Sequence, residues 1–307
     1  MRELTAKECE TVLVVTITPR DFEGNLDFSG IRSNCEFLIK RGIQCIMPMC
    51  GTGLVYDATL AEYEECIATV IETVGDKATV VPGVGPGFGR SLEMGQIAQS
   101  LGASGIMIMP VVGPASARGV DMGMRHIIQQ INLPIVIYQR RLDLMPIKQI
   151  VRLCELDSVV GLKYAVDDIK TFGAIVEQVD SKAALLCGMA EDPALEYLKV
   201  GAVGYSSGMA NFAPKTSLTM LNRFKSGDLS GAEEIRLGMV AFEDFRGENQ
   251  ARYSGSALNS AMDYAGLAGG PVIPFAEKVA DEEVPRLQEM LDPILRLEEM
   301  LVMERVE

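Results

Sequence analysis

Lys163 is the side chain in this 307-residue sequence with the clearest potential for covalent chemistry. It closes the run VVGLK, whose other members carry no charge, so an ammonium pointing inward at this position would be partly desolvated. Desolvation favours the neutral amine, which is the nucleophile that attacks a carbonyl carbon to form a Schiff base. The alternative interpretation is a lysine that marks the solvated end of a strand.

Two further segments carry groups that could serve such a reaction. Tyr138 closes the run PIVIY, where a phenol could pass protons between water and a substrate, although a tyrosine in such a run is more often packed. Gly51-Thr52-Gly53 follow another apolar run and could turn tightly, presenting backbone N–H groups and a hydroxyl to a carboxylate. A plain turn is the alternative for these three residues.

Arg140 and Arg141 follow Tyr138 after one intervening residue, Gln139, at the same rim, where a guanidinium could hold a substrate carboxylate or be solvated. Tyr205 and Ser206 end the last apolar run of the chain. We therefore count Arg140, Tyr205 and Ser206 as candidates for contact with the same substrate.

The acidic pairs Asp167-Asp168 and Glu191-Asp192 could indicate a metal site or an acid/base dyad. Each pair stands where a helical pattern begins, and acidic side chains there interact favourably with the helix dipole. We predict that both pairs cap helices.

The elements that must position these residues are short apolar runs separated by helical patterns. The eight runs are 11–17, 43–48, 78–82, 105–109, 134–138, 159–163, 183–187 and 202–206. Such runs are typical of parallel strands buried on both faces, and eight of them favour a closed (β/α)8 TIM barrel, whose active site lies at the carboxyl ends of its strands. A doubly wound cofactor-binding sheet is the alternative, but it would carry a GxGxxG motif after its first strand, which this sequence lacks.

Residues 1–225 are predicted to form the barrel, and residues 226–307 a C-terminal helical extension. Helical patterns occur at about 229–246, 250–266 and 283–304. The apolar side of the last pattern predicts packing on the barrel wall, and subunit contact is the alternative.

The charge balance limits the partners of the protein. The sequence has 28 Lys+Arg against 42 Asp+Glu, a net charge of −14, and an acidic surface repels nucleic-acid phosphates and anionic lipids. The start MRELTAKECE lacks the pattern of a signal peptide, and no apolar run is as long as a membrane-spanning helix. We expect a cytoplasmic protein that binds neither nucleic acid nor membranes.

The cysteine and histidine content argues against metal chemistry. The seven cysteines are scattered without CxxC spacing, which indicates reduced, packed thiols and no disulfide framework or zinc knuckle. His126 is the only histidine, so HExxH sites and other metal sites that need two histidines are excluded.

Several motifs together resemble the dihydrodipicolinate synthase/N-acetylneuraminate lyase family. They are Thr18-Pro19, Gly51-Thr52-Gly53, Tyr138 and Gly161-Leu162-Lys163, in an order and spacing that span nearly the whole chain. The segment 188–214 is similar to the sugar-acid branch of that family, which includes 5-dehydro-4-deoxyglucarate dehydratase.

This resemblance implies a role for each matching residue. Lys163 would be the Schiff-base lysine, Tyr138 the proton-transferring phenol, and Thr52 with Gly53 the cradle for the carboxylate of pyruvate or a related 2-keto acid. The resemblance also implies a homotetramer that needs no metal or organic cofactor.

The sequence departs from the family pattern at positions that select the substrate. The family's Gly-Thr-Thr-Gly-Glu motif is here Gly51-Thr52-Gly53-Leu54, so one threonine and the glutamate are missing, and Val111 and Val112 stand where the family has two tyrosines. These differences argue against the lysine-biosynthetic reaction, and the two valines predict a more apolar side of the barrel mouth.

The leading hypothesis is a lyase that forms a Schiff base between Lys163 and a 2-keto acid and catalyses aldol cleavage, aldol condensation or dehydration. A 5-dehydro-4-deoxyglucarate dehydratase is one alternative, although Asn259 and Ile273 replace a lysine and an arginine that are frequent in that branch. A catalytically degenerate barrel that binds a keto acid is an alternative of another class.

Overall fold

The apolar runs form one parallel sheet that closes into a barrel. A computed structural model describes residues 2–180 and 182–304. The strands are β1 (Val12–Val15), β2 (Cys45–Met47), β3 (Thr79–Val80), β4 (Gly83–Val84), β5 (Ile106–Ile108), β6 (Ile135–Gln139), β7 (Val159–Tyr164), β8 (Ala184–Cys187) and β9 (Gly204–Ser207). Their order is β3-β2-β1-β9-β8-β7-β6-β5-β4. Because only Val81 and Pro82 separate β3 from β4, the two ends of this order are one continuous segment, and the predicted (β/α)8 barrel is confirmed.

The third strand of the barrel is divided, whereas the sequence predicted one run over 78–82. Pro82 lies at the division and has no N–H group to donate to a neighbouring strand. Its carbonyl oxygen still accepts a hydrogen bond from the backbone N–H of Met107, at 2.9 Å. Gly83 follows, and a Cβ there would lie 2.5 Å from the carbonyl oxygen of Met49. Only glycine therefore allows the turn after β2 to pack this closely against β4.

Helices follow the strands around the outside of the barrel. They are α1 (Phe28–Lys40), α2 (Leu60–Val74), α3 (Phe88–Ser100), α4 (Ala117–Gln130), α5 (Ile147–Cys154), α6 (Ile169–Val176), α7 (Glu191–Lys199) and α8 (Pro214–Lys225). α2 begins with a capping box, in which the Thr59 hydroxyl accepts from the Glu62 N–H and the Glu62 carboxylate accepts from the Thr59 N–H. Asp168 caps α6 by accepting from the Thr171 N–H at 3.0 Å, so the capping prediction is confirmed for this residue.

Three helices form the C-terminal extension: α9 (Leu229–Ala251), α10 (Ser256–Tyr264) and α11 (Val284–Met303). α9 packs against α7 and α8, and α11 packs against α8 and α9, with Leu291 and Ile294 buried. None of the helices described for residues 2–180 and 182–304 is long and apolar enough to cross a membrane.

Regular helical geometry in α9 ends near Gly247. Glu248 has a ψ of 151°, and Asn249 and Gln250 have φ values of 52° and 62°. The resulting turn brings Ser254 and Gly255 back to the mouth of the barrel, where they line the same cavity as Lys163.

All seven cysteines are buried, free thiols. Burial raises the pKa of Cys35, Cys50 and Cys154 to about 12 each. These side chains are therefore thiols at neutral pH, and an uncharged thiol packs as a small apolar group.

Glu298 in α11 fastens the extension to the barrel. Its carboxylate is 3% exposed and accepts hydrogen bonds from the backbone N–H groups of Lys215 and Thr216 and from the Thr216 hydroxyl. Those N–H groups belong to the first turn of α8, where the N-cap residue Ala213 provides no side-chain cap. The carboxylate thus supplies the acceptor that the start of a helix lacks.

Replacing Glu298 by alanine should lower the free energy of unfolding by about 1–3 kcal/mol, because buried N–H groups lose their acceptor. Urea unfolding followed by circular dichroism would measure the change. Glu299→Ala alters the exposed neighbouring residue and should stay within about 0.5 kcal/mol of the unmodified protein. Equal losses in the two variants would contradict a specific role for Glu298.

Candidate active site

Lys163 and Tyr138 lie side by side at the carboxyl ends of two adjacent strands. The register of β6 and β7 pairs the two residues directly. Lys163 is 6% exposed, and its Nζ lies 4.3 Å from the centre of the Tyr138 ring. A Cβ at Gly188, just after β8, would lie 2.9 Å from Cγ of Lys163. The glycine therefore leaves room for the lysine stem beside the neighbouring strand.

A cavity of about 500 Å³ opens above these two side chains. Six of the eight predicted site residues line it: Gly51, Thr52, Tyr138, Arg140, Lys163 and Ser206. The structure thus brings together residues from four separate strand ends of the barrel and the turns that follow them. Gly53 and Tyr205 lie elsewhere.

Gly53 holds the turn after β2 in place and does not line this cavity. Its carbonyl oxygen accepts a hydrogen bond from the Thr18 hydroxyl at 2.9 Å. A Cβ at this position would lie 2.9 Å from the carbonyl oxygen of Thr16. The glycine is needed for close packing of the turn against the segment after β1, and this packing presents Gly51 and Thr52 to the cavity.

Tyr205 is fully buried on the other side of β9. Its hydroxyl donates to the backbone oxygen of Ser217 in α8 at 2.8 Å. Because successive side chains on a strand point to opposite faces, Ser206 lines the cavity while Tyr205 packs outward. The structure therefore does not bring Tyr205 to the predicted substrate site.

Tyr56 is a cavity residue that sequence analysis missed. It lies in the turn between β2 and α2, and its hydroxyl would be 3.8 Å from a Cβ at Gly51. Burial raises the pKa of its phenol to about 12. Tyr56 belongs to no apolar run, so the inspection of strand ends gave no signal for it.

Glu243 and Arg246 of α9 reach the cavity from the C-terminal extension. Nη1 of Arg246 donates to both carboxylate oxygens of Glu243, at 3.0 and 2.9 Å, and Nε donates to the backbone oxygen of Ser254 at 3.0 Å. The only sequence signal was a glutamate three residues before an arginine, a pattern that is common on exposed helices.

Glu191 lies fully buried behind β9, and the prediction that it caps a helix is wrong. Its Oε1 accepts hydrogen bonds from the hydroxyls of Ser207 and Ser217, at 2.5 and 2.6 Å. Oε2 has no hydrogen-bond partner among the residues that the structure describes. The N-cap of α7 is Ala190, which makes no side-chain cap, so the first turn directs Glu191 inward toward β9 and α8.

Burial raises the pKa of Glu191 to about 7, and the negative charge of Glu243 acts in the same direction. The hydrogen bonds from Ser207 and Ser217 and the positive charge of Arg246 oppose this rise. Asp192, the other member of the acidic pair, forms an ion pair with Arg236 of α9 at 2.6 Å.

Val111 and Val112 do not line the Lys163 cavity. They line a separate cavity of about 570 Å³ between the loop after β5 and helices α3 and α4, together with Phe88 and Met124. These valines therefore do not make the Lys163 cavity itself more apolar, although Val111 also lines a small pocket beside Tyr138 and Arg140. In residues 2–180 and 182–304 no cluster of three His, Cys, Asp or Glu side chains could hold a metal ion.

The fold and the cavity together define a parallel (β/α)8 barrel with adjacent lysine and tyrosine side chains at the carboxyl ends of its strands. The chain belongs to the Dihydrodipicolinate synthetase family, whose model matches residues 8–293. The names of this family and of the relatives indicate an enzyme of the lyase or dehydratase type.

The chain is 28% identical over 263 residues to a probable 5-dehydro-4-deoxyglucarate dehydratase of Bacillus subtilis, covering 83% of this chain and 84% of the relative. It is 29% identical over 279 residues to a protein of the same name from Acidovorax ebreus, covering 88% and 91%. The crystal structure of dihydrodipicolinate synthase from Oceanobacillus iheyensis superposes with a TM-score of 0.90 at 30% identity, covering 94% of this chain and 97% of that chain. The predicted resemblance to the family and to its sugar-acid branch is confirmed.

The raised pKa of Glu191 predicts a pH-dependent stability. Between its ordinary pKa of 4.5 and the folded value of about 7, the folded protein binds more protons than the unfolded chain, so the stability due to Glu191 falls as the pH rises. Glu191→Gln removes this titration. The free energy of unfolding of the variant, relative to that of the unmodified protein, should therefore rise by on the order of 2 kcal/mol between pH 5 and pH 8.

Urea unfolding at the two pH values would measure this gain. Glu196→Gln, at an exposed position of the same helix, is the matched control and should show no comparable change. The contrary result is a free energy of unfolding of Glu191→Gln that differs from that of the unmodified protein by the same amount at pH 5 and pH 8. That result would show that Glu191 does not titrate in this range.

Proposed function

We propose that the protein is a lyase that forms a Schiff base between Lys163 and a 2-keto acid. The observation that carries this proposal is the position of the Lys163 amine, 6% exposed, in the cavity wall and 4.3 Å from the Tyr138 ring centre. An amine shielded from water at the carboxyl end of a barrel strand is suited to attack a carbonyl carbon. Membership of the Dihydrodipicolinate synthetase family supports the same reaction class.

The proposed reaction begins with attack of the neutral Nζ of Lys163 on C2 of the keto acid. The hydroxyl group of the resulting carbinolamine takes a proton from the phenol of Tyr138 and leaves as water, which gives an iminium ion. The iminium draws electrons from the C3–H bond, and the C3 proton passes to the Tyr138 phenolate as the enamine forms. Tyr138 thereby recovers the proton that it lost.

Two outcomes are open to these covalent intermediates. Either the enamine expels a hydroxyl group from C4, which is a dehydration, or the bond between C3 and C4 is broken or formed, which is aldol chemistry. The names of the Bacillus subtilis and Acidovorax ebreus relatives favour dehydration of a sugar acid as the particular reaction. The iminium itself acts as the electron sink, so we propose that no metal or organic cofactor is needed.

We assign the binding of anionic substrate groups to two parts of the cavity. Gly51 and Thr52 would hold the C1 carboxylate with backbone N–H groups and a hydroxyl, as small residues in a tight turn can do. Arg140 lines the same cavity and makes no ion pair among the residues that the structure describes, so its guanidinium is available for a substrate anion. Arg141 instead pairs with Asp143 at 2.7 Å.

We also propose that the protein acts as a homo-oligomer. Phe88 and Val112 are 50% and 67% exposed, and both line the apolar cavity beside α3 and α4. Large apolar side chains grouped in this way are typical of a surface that another protein chain covers.

Borohydride reduction in the presence of pyruvate or a longer 2-keto acid should add to the protein the mass of the keto acid less one water plus two hydrogen atoms. Intact-protein mass spectrometry would detect the adduct, and Lys163→Ala should abolish it because the attacking amine is gone. Lys170→Ala, at an exposed site on α6, should retain it. If no keto acid gives an adduct, the Schiff base is refuted. An adduct in a protein that turns over no substrate would instead indicate a barrel that binds a keto acid without catalysis.

Arg140→Ala should raise the KM for a 2-keto acid by about 10- to 100-fold, the range expected when a hydrogen bond to a charged group is lost. Arg141→Ala is the matched control, since its guanidinium already pairs with Asp143. Steady-state kinetics on a substrate that the unmodified protein turns over would measure both values. Similar KM values for the two variants would remove Arg140 from the proposed site.

A further inference from the structure

The Lys163 cavity is larger than a three-carbon keto acid requires. Its volume of about 500 Å³ would hold on the order of fifteen water molecules at ~30 Å³ each. Pyruvate attached to Lys163 would leave most of this space unfilled. The rest of the cavity wall therefore bears on which keto acid the cavity accepts.

Glu243 and Arg246 of α9 form the part of that wall that the C-terminal extension supplies, next to the chain after β9 at Gly208 and the turn at Ser254. The Arg246 and Glu243 side chains are only 12% and 14% exposed. A Cβ at Gly208 would lie 3.4 and 3.5 Å from the two terminal nitrogens of Arg246. The absence of a side chain at Gly208 therefore leaves space beside the terminal nitrogens of the guanidinium.

Hydrogen bonds to the protein occupy only part of the Arg246–Glu243 pair. Nη1 and Nε of Arg246 donate to Glu243 and to the Ser254 carbonyl. Nη2 donates to no acceptor within residues 2–180 and 182–304 and lies beside Gly208. A carboxylate oxygen can accept more than one hydrogen bond, so the pair can offer a ligand both a donor and acceptors.

The chemistry of the pair selects hydroxyl groups over a further carboxylate. The Glu243 charge neutralises Arg246, so the pair carries no net charge with which to attract an anion. Hydroxyl groups both donate and accept, which matches a guanidinium beside a carboxylate. Keeping two ions largely away from water costs free energy, and a pair of this kind is weak evidence for a purely stabilising role.

We propose that Glu243 and Arg246 are specificity-determining residues that bind the hydroxyl groups on the distal carbons of a polyhydroxylated 2-keto acid. This assignment rests on the proposed function, since it takes the carbonyl end of the same substrate to lie at Lys163. Its observable consequence is a preference for a hydroxylated chain over an apolar chain of equal length.

Calorimetric titration of the full-length protein with gluconate and with hexanoate tests this preference. Both probes are six-carbon monocarboxylates, only gluconate has hydroxyl groups, and neither has a keto group, so their binding does not depend on a Schiff base. The unmodified protein should bind gluconate at least tenfold more tightly than hexanoate. Glu243→Gln and Arg246→Met should each weaken gluconate binding about tenfold or more and reduce this preference.

The matched controls are Glu233→Gln and Arg236→Met, which alter another glutamate–arginine pair of the same spacing on α9 outside the cavity. They should leave the ratio of the two dissociation constants unchanged. Melting temperatures of all four variants would separate a loss of folding from a loss of binding, because unfolding weakens the binding of gluconate and of hexanoate alike.

Two results would overturn the assignment: a protein that shows no preference for gluconate, or Glu243 and Arg246 variants that weaken both probes equally. The borohydride experiment with pyruvate reports separately on Lys163. The protein could form no adduct and still show a gluconate preference that these variants remove. That combination would support the hydroxyl-binding pair and would refute the Schiff-base function.

Discussion

The pairing of Lys163 with Tyr138 across β6 and β7 is the contact on which the rest of the site depends. The parallel register places both residues at the carboxyl ends of their strands, so both side chains meet the same cavity. Gly188 keeps the neighbouring strand end free of a side chain at this point, which lets the lysine stem pass. A shift of one residue in this register would turn either side chain toward the outer helices and would separate the amine from the phenol.

The barrel and the Lys163–Tyr138 pair could be predicted from local patterns in the sequence. Lys163 and Tyr138 each close an apolar run, and the ends of parallel strands meet at one edge of a barrel, so their proximity could be predicted. Tyr205 was misplaced because a run of residues does not show which of two neighbours faces inward when both faces of the strand are buried. Its hydroxyl instead bonds to the Ser217 carbonyl.

The residues that sequence analysis missed come from segments whose position depends on tertiary packing. Glu243 and Arg246 lie on a helix of the extension, and only the packing of α9 against α7 and α8 carries them to the barrel mouth. Glu191 was assigned to a helix cap because an acidic residue stood at the start of α7. Its environment is decided by Ser207 and Ser217, which belong to other elements, and no local pattern around Glu191 reports them.

The cavity concentrates positive charge within an acidic protein. The chain carries a net charge of −14, yet the side chains that line the cavity include the cations Arg140 and Arg246 and the single anion Glu243, besides Lys163, whose amine reacts in its neutral form. At physiological ionic strength the Debye length is about 8 Å, so an anion at the barrel mouth responds mainly to these nearby groups and little to the distant surface. Because Glu243 neutralises Arg246, the attraction for an anion is centred near Arg140. A keto acid would therefore be drawn in by its carboxylate toward Arg140, and its uncharged carbons would be left to the wall that α9 supplies.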